Sequence, residues 1–350
     1  MSSRSICLPA APRILIVRLS AIGDVVQGMP IACTLRDRFP DAFLAWAVGE
    51  PGAALLQGHE ALDELIALPR RWLKSPAAVW RLRRRLRAMR FDVAIDAQGL
   101  TKAALVGRLS GAKRRIGFGD PWGRELSRWL NNELVDTTAR HVVDRNLELL
   151  RPLGIESPGV RFQVPRHESA RLAAEAMIRR AGLEAGFAMI NSGAGWPSKL
   201  WPNDRYAAVA AYLGSELGLP TLIVWGGDDE RAAAEQIVGG AAGHAHLAPP
   251  TSLTELAALA RRARLFLGSD TGPLHLAAAV ATPCIGLFGP WPAERHGPYG
   301  PQHAALQEMV FEGSTRQRRN ASPKYMEAIG VDLVCRTCRR ILRREGWKAA

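Results

Sequence analysis

Arg18-Leu19-Ser20-Ala21-Ile22-Gly23-Asp24 follows an apolar run and precedes a helical pattern, so the Asp24 carboxylate falls at a strand-to-helix turn. A carboxylate there has two uses: it can cap unsatisfied N–H groups of the helix, or it can take a proton from a substrate hydroxyl. A second cluster, Gly268-Ser269-Asp270-Thr271-Gly272-Pro273-Leu274-His275, puts Asp270 or Thr271 at another helix start, with His275 one turn inside. Backbone N–H groups at such a start suit an anion such as phosphate, and His275 adds a donor. A third, Asn191-Ser192-Gly193-Ala194-Gly195-Trp196-Pro197-Ser198-Lys199, is a small-residue loop with a lysine at its far side. Its glycines let a phosphate approach the backbone, and Lys199 is a mobile cation for the same anion. The alternative is a flexible connection with a solvated lysine. A fourth, Trp225-Gly226-Gly227-Asp228-Asp229-Glu230, offers acids that either cap a helix or bind ribose hydroxyls at a strand end. Together the second half offers a diphosphate site and a ribose-binding acid, which suggests a nucleotide with a group attached.

Elements that could position these clusters are legible as alternating β-rich runs and amphipathic patterns, the signature of a doubly wound α/β sheet. The strand expectations are 13–19, 43–48, 64–68 and 91–96, then 187–191, 221–225, 246–248, 265–267 and 284–288. A segment around 152–165, rich in Pro and Gly, separates two such sets, so two Rossmann-like domains are expected, with ligands beyond the carboxyl ends of the strands. The dinucleotide pattern G-x-G-x-x-G is absent after the first strand, and no helix starts on GK[ST].

The chain has 350 residues, 47% hydrophobic and 23% charged, which excludes disordered and fibrous classes. Its formal charge of +13 is unevenly placed. Nine basic residues and no acid lie between Arg70 and Arg90, and ten basic residues against three acids lie from Arg316 to the end, so the remainder is near neutral. Such patches leave nucleic acid, an anionic membrane and an acidic substrate open. Nucleic acid is disfavoured, because no known module is present and aromatics are not interleaved as stacking platforms. The longest uncharged stretch, 276–293, is broken by Pro and Gly, and 6–10 is too short for a signal-peptide core, so a cytoplasmic protein is expected. Cys7, Cys33 and Cys284 sit in apolar contexts as small buried hydrophobes. Cys335-Arg-Thr-Cys338 lacks a second Cys/His pair and lies in a helical pattern, which argues against a zinc or redox site.

Ser20 to Asp24, Asp96-Ala97-Gln98-Gly99-Leu100, Ser192 to Trp201 and Ser269 to His275 resemble, in this order, the motifs of glycosyltransferase family 9, the ADP-heptose:lipopolysaccharide heptosyltransferases, over roughly residues 13 to 342. The resemblance is greatest to the branch that adds the first heptose to a Kdo residue of lipid A. It implies a GT-B fold with an acceptor-binding domain over 1–160, a nucleotide-sugar-binding domain over 161–325, and a C-terminal helix over 326–350 crossing back to the first. It implies an inverting reaction with no metal and no cofactor, the ADP-sugar being a substrate. On the donor side it carries over to Ser192, Gly193, Ala194 and Gly195, to Lys199, Asp270, Thr271, Gly272 and His275 at the diphosphate, to Glu230 at the ribose, and to the backbone of Thr251 at the adenine. Arg70, Lys74, Gln98, Arg124 and Arg145 match acceptor positions, with Asp24 as general base and Lys199 meeting the leaving diphosphate. The partners implied are a nucleotide-sugar donor, an acidic lipid-linked sugar acceptor, and transient contact of the Arg-rich helix 77–89 with the anionic inner-membrane surface. The alternatives are a family 9 transferase with another donor or acceptor, or a nucleotide-sugar-binding protein without catalysis, against which Asp24 argues. The basic stretch 313–324 has no assigned role.

Overall fold

The computed structural model describes residues 8–347, and Cys7 lies outside them. The chain divides into two compact units between Pro165 and Arg166, a few residues beyond the expected boundary.

In the first unit, strands β1 (Arg13–Val17), β2 (Phe43–Gly49), β3 (Glu64–Leu68), β4 (Val93–Asp96), β5 (Arg114–Phe118) and β6 (Glu133–Val135) form one parallel sheet in the order β3-β2-β1-β4-β5-β6. In the second, β7 (Ala188–Asn191), β8 (Thr221–Val224), β9 (Ala245–Leu247), β10 (Leu265–Ser269), β11 (Cys284–Leu287) and β12 (Ala304–Leu306) repeat the arrangement in the order β12-β11-β10-β7-β8-β9. Central strands such as β1, β4, β7 and β10 are buried along most or all of their length, as strands covered by helices on both faces must be. Each sheet reverses its strand order at its first strand, between β1 and β4 and between β7 and β10. In such sheets ligands bind beyond the strand ends at that reversal.

Strands β5, β6 and β12 have no counterpart among the sequence expectations. Two of them are three-residue edge strands, and β5 opens with Arg114 and Arg115, so none presents a continuous apolar run. Arg114 instead holds Glu133 of β6 through two hydrogen bonds at 2.7 Å, a cross-strand ion pair doing the work that apolar side chains do elsewhere.

The C-terminal helix Val331–Arg344 packs on the helix Asn203–Leu217 and on β11. Its buried face, including Val334, Cys338, Ile341 and Leu342, joins the core of the second unit, where the resemblance had it crossing to the first. Cys335 and Cys338 are free, and burial raises the Cys335 thiol to about 11 and the Cys338 thiol further. Thiols that stay protonated at neutral pH are poor ligands and nucleophiles.

Candidate active site

In the first unit the site residues gather at the β1/β4 reversal. Asp24 is the third residue of the helix Ile22–Arg38. One carboxylate oxygen accepts from the Ala21 N–H at 2.9 Å, and the other pairs with the Arg18 guanidinium at 2.6 Å. Both uses of Asp24 are therefore compatible: the cap fixes its rotamer, and its side chain remains 34% exposed. Arg18 is buried and also donates to the Ala97 carbonyl. Its ion pair gives the buried guanidinium a charged partner at the strand-to-helix turn.

Gln98 secures the same turn from β4: its Oε1 accepts from Leu19 N–H at 2.9 Å, and its Nε2 donates to Ser20 Oγ at 3.3 Å. With both ends of its amide engaged, Gln98 positions the loop that carries Asp24. Beneath it Asp96 is fully buried. Burial raises its carboxyl, while the Gln98 and Gly99 N–H groups, each at 3.0 Å, and Asn131 Nδ2 at 3.1 Å favour its charged form. Gly99 has φ +68°, and a Cβ there would meet the Trp122 carbonyl. This close approach brings in the 119–126 loop, where the Arg124 N–H donates to Gly99 O at 3.0 Å. The Arg124 side chain is exposed. Arg145 is buried with its guanidinium 4.0 Å from the Trp122 ring centre. Arg70 and Lys74 stand apart from this group. They flank the buried Trp72 in the turn after β3, both are exposed, and neither makes an ion pair among the described residues.

In the second unit the β7/β10 reversal gathers the donor candidates. Asp270 is buried and central. Its Oδ2 takes Lys199 Nζ at 2.6 Å, its backbone carbonyl takes the same Nζ at 3.1 Å, and its Oδ1 meets His275 Nε2 at 3.1 Å. Burial alone would raise the Asp270 carboxyl, but the His275 hydrogen bond and the Lys199 charge outweigh it and hold it well below the usual carboxylate range. An ammonium has three donors. Two end on Asp270, and the Trp291 ring lies 4.5 Å from Nζ, so Lys199 is held with capacity for one more acceptor.

The helix Gly272–Ala279 begins beside this cluster. Thr271 takes the N-cap position, but its side chain makes no capping bond and turns to Asn191 Oδ1 at 3.5 Å. The first N–H groups of the helix are thus left for another acceptor. Ser192 Oγ is buried and has no hydrogen-bond partner among the described residues. A buried hydroxyl left without a protein partner is open to a polar ligand or an ordered water.

Glu230 sits in the first turn of the helix Asp228–Gly240, and its Oε2 accepts from Gly226 N–H at 2.9 Å. A Cβ at Gly193 would collide with its carboxyl, so the glycine loop and this carboxylate are in contact. Gly193 is there for space, since its backbone is not among those with positive φ. Thr251 lies after β9, just ahead of the Ser252–Glu255 capping box, two strands from β7 and separate from the Lys199 cluster. Sequence reasoning gave Arg18 and Asn191 no role within their motifs and did not name Trp122 or Trp291. The signal for Arg18 was present, a charged residue directly after four buried apolar ones, whereas the two tryptophans come close only through folding.

The family model for glycosyltransferase family 9 (heptosyltransferase) matches residues 79–326. Lipopolysaccharide heptosyltransferase 1 of Salmonella typhimurium is 30% identical over 303 residues, covering 84% of this chain and 93% of the relative. Its Pseudomonas aeruginosa namesake is 28% identical, covering 82% and 81%. Among solved structures, a glycosyl transferase family 9 protein from Veillonella parvula superposes with a TM-score of 0.86 at 22% identity, covering 97% and 99%. The E. coli heptosyltransferase WaaC with ADP gives 0.75 at 24% identity, covering 94% and 99%. The structural likenesses establish the fold as GT-B, built from two Rossmann-like units. On the family match and the identity to its relatives, the chain belongs to glycosyltransferase family 9 and is a glycosyl-transferring enzyme.

Proposed function

We propose that the enzyme transfers a heptose from ADP-heptose to a Kdo-type acidic sugar of the lipopolysaccharide inner core, with inversion and without a metal or other cofactor. The observation that carries the donor side is the Lys199–Asp270–His275 cluster at an uncapped helix start, beside a glycine loop with an unsatisfied Ser192 hydroxyl. These groups supply what a diphosphate needs: one ammonium donor, backbone N–H groups and the positive end of a helix dipole. Glu230 offers its carboxylate to the ribose, and the Thr251 backbone to the adenine. The names of the relatives support heptose and lipopolysaccharide, and the resemblance read in the motifs supports Kdo.

In the reaction, Asp24 takes the proton of the attacking acceptor hydroxyl. The hydroxyl oxygen forms its bond to the anomeric carbon on the face opposite ADP, the bond from that carbon to the diphosphate oxygen breaks, and ADP leaves with the electron pair. Lys199 and the helix start meet that charge. Arg70, Lys74, Arg124 and Arg145 bind the acidic acceptor. The experiment is a donor screen: ADP-heptose and other nucleotide sugars are each mixed with the full chain and Kdo-bearing lipid A, with and without EDTA, and nucleotide release is followed. ADP release that needs both ADP-heptose and the lipid, and survives EDTA, is expected. Turnover with a different sugar nucleotide alone would overturn the donor, and loss in EDTA the metal-free mechanism.

Gly193→Ala tests the contact with the ribose acid. The Glu230 side chain can swing aside, so Tm should change little, while ADP affinity falls because the displaced carboxylate no longer meets the ribose. A calorimetric ADP titration of the variant checks this.

A lipid acceptor also requires a visit to the cytoplasmic membrane surface. Among the described residues no helix is long and apolar enough to cross a membrane. The helix Pro76–Ala88 buries Leu82 and Leu86 and exposes Arg81, Arg83, Arg84, Arg85 and Arg87. It packs on Thr101–Ser110, which packs in turn on Ser127–Leu130, and the same layer exposes Trp80 by 57% and Trp129 by 85%. Arginines beside exposed tryptophans suit an anionic interface, where each basic residue contributes about 1 kcal/mol. Flotation with anionic vesicles should exceed that with neutral ones, fall with salt, and drop for Trp129→Ala. Equal recovery on both vesicle types would remove the membrane contact.

A further inference from the structure

The basic stretch 313–324 acquires a role from its placement. Ser314 and Gln317 form a capping box, in which Gln317 Oε1 accepts from the Ser314 N–H at 2.8 Å and Ser314 Oγ accepts from the Gln317 N–H. The five-residue helix Thr315–Arg319 that follows is therefore set by its own sequence. Successive helical residues point about 100° apart, so Arg318 and Arg319 leave this helix in different directions. Arg318 donates to the Pro290 carbonyl. The Arg319 guanidinium lies 4.2 Å from the Trp196 ring centre.

Both contacts fall on segments that adjoin Lys199 or the ring it faces. Pro290 directly precedes Trp291, whose ring faces Lys199 Nζ at 4.5 Å, and the same loop is held by Gln307 Nε2, which donates to Gly289 O at 2.7 Å and Trp291 O at 3.1 Å. Trp196 closes the glycine loop and directly precedes the turn Pro197–Lys199. Two consecutive arginines thus hold the two segments in question: Arg318 the backbone of the loop that carries Trp291, and Arg319 the ring of Trp196, three residues before Lys199.

We infer that Arg318 and Arg319 are positioning residues that hold the glycine loop and the Lys199 ammonium in their donor-binding geometry before the nucleotide arrives. The inference rests on the reading of Lys199 as the diphosphate ligand. A lysine carries about 2 kcal/mol of rotamer entropy on a flexible stem, and the loop beside it is built from Ser, Gly and Ala. Ordering both in advance removes a cost that donor binding would otherwise bear. The two arginines then govern how tightly donor binds, and the chemical step is unaffected once it is bound.

The test uses the full chain, with ADP titration by calorimetry and steady-state kinetics on the donor and acceptor proposed above. Arg319→Ala should weaken ADP about two- to fivefold, the loss of an exposed cation–π contact, and raise the donor KM in step, with kcat and acceptor KM unchanged. Arg318→Ala removes a charge-assisted hydrogen bond and should weaken ADP by about tenfold or more. Arg319→Lys and Trp196→Phe keep a cation over a ring and should restore most of the affinity. Trp196→Ala should match Arg319→Ala, and the double variant should be no worse than either. Arg316→Ala, in the same helix, is the control for a general charge effect. ADP binding unchanged in both arginine variants, strictly additive Arg319 and Trp196 losses, an equal loss in Arg316→Ala, or a fall in kcat at constant donor KM would each overturn the inference while leaving the donor reading intact. A wild-type chain that binds no ADP overturns both.

Discussion

Asp24→Asn should lose about 10²- to 10⁴-fold in kcat, the usual contribution of a positioned general base, while keeping its fold. Asparagine presents an amide oxygen where the carboxylate accepts from the Ala21 N–H, so the helix start survives. It offers no charge to Arg18, a buried cation with its Asp24 contact at 2.6 Å. Losing a charged partner from a fully buried pair costs about 3–5 kcal/mol. Here the carboxylate is about one-third exposed, and solvent screening brings the expected cost to roughly 1 kcal/mol. Asp24→Ala separates the two roles. It loses the acceptor for the Ala21 N–H as well and should melt below Asp24→Asn, because removing an N-terminal acceptor costs about 1 kcal/mol, yet it should be no less active. Single-turnover rates and thermal melts of the pair check this. An Asp24→Asn enzyme within tenfold of wild-type kcat would remove the general-base role.

Lys199→Ala should cost about 10²- to 10³-fold in turnover, the magnitude found when one preorganised donor to a developing negative charge is removed, with acceptor binding untouched. The reverse pattern, weakened acceptor binding with normal donor use, would show that the two substrate sites have been exchanged. The variant should also change the response to acid. The Asp270 carboxyl is held below its ordinary value of 3.8 by His275 and Lys199 against the effect of its own burial. A depressed carboxylate adds stability at pH above the unfolded-state value, and that stability is lost as the pH falls through the lower folded-state value. The second unit should therefore lose stability below about pH 4, where the unfolded carboxyl begins to bind protons. Removing Lys199 takes away one of the causes of the depression, leaving His275 and His296. The variant should be less stable than wild type at pH 7 and lose less on going to pH 3. Denaturant midpoints across that range measure both slopes, and parallel curves would show that Lys199 does not stabilise the Asp270 charge.

Legibility in the sequence followed physical locality. β1, β4, β7 and β10 were readable because buried parallel strands need unbroken apolar runs. The Gly268–His275 cluster was readable because strand, turn and helix start are contiguous. The edge strands β5, β6 and β12 were not, since a three-residue edge or an Arg-led strand has no periodic signature. Gln98 matched an acceptor position by resemblance, but its amide is committed to Leu19 and Ser20, 79 and 78 residues away, and only folding could reveal that commitment. The same holds for the C-terminal helix, whose amphipathic pattern promised a buried face without saying which core would cover it.

By itself the sequence determined the doubly wound class, the two-unit division and the motif order that marks the family, and it singled out one helix start and one glycine loop as phosphate candidates. All of these depend on residues near each other in the chain. Tertiary structure alone decided that Asp24 is paired with Arg18, that Asp270 pins Lys199 from 71 residues away, and that an unassigned basic helix reaches the Pro290 carbonyl and the Trp196 ring. Pairing, burial and rotamer are set by what lies across the sheet and beyond the strand ends. Local pattern carries no information about those neighbours until the parallel strands are laid side by side.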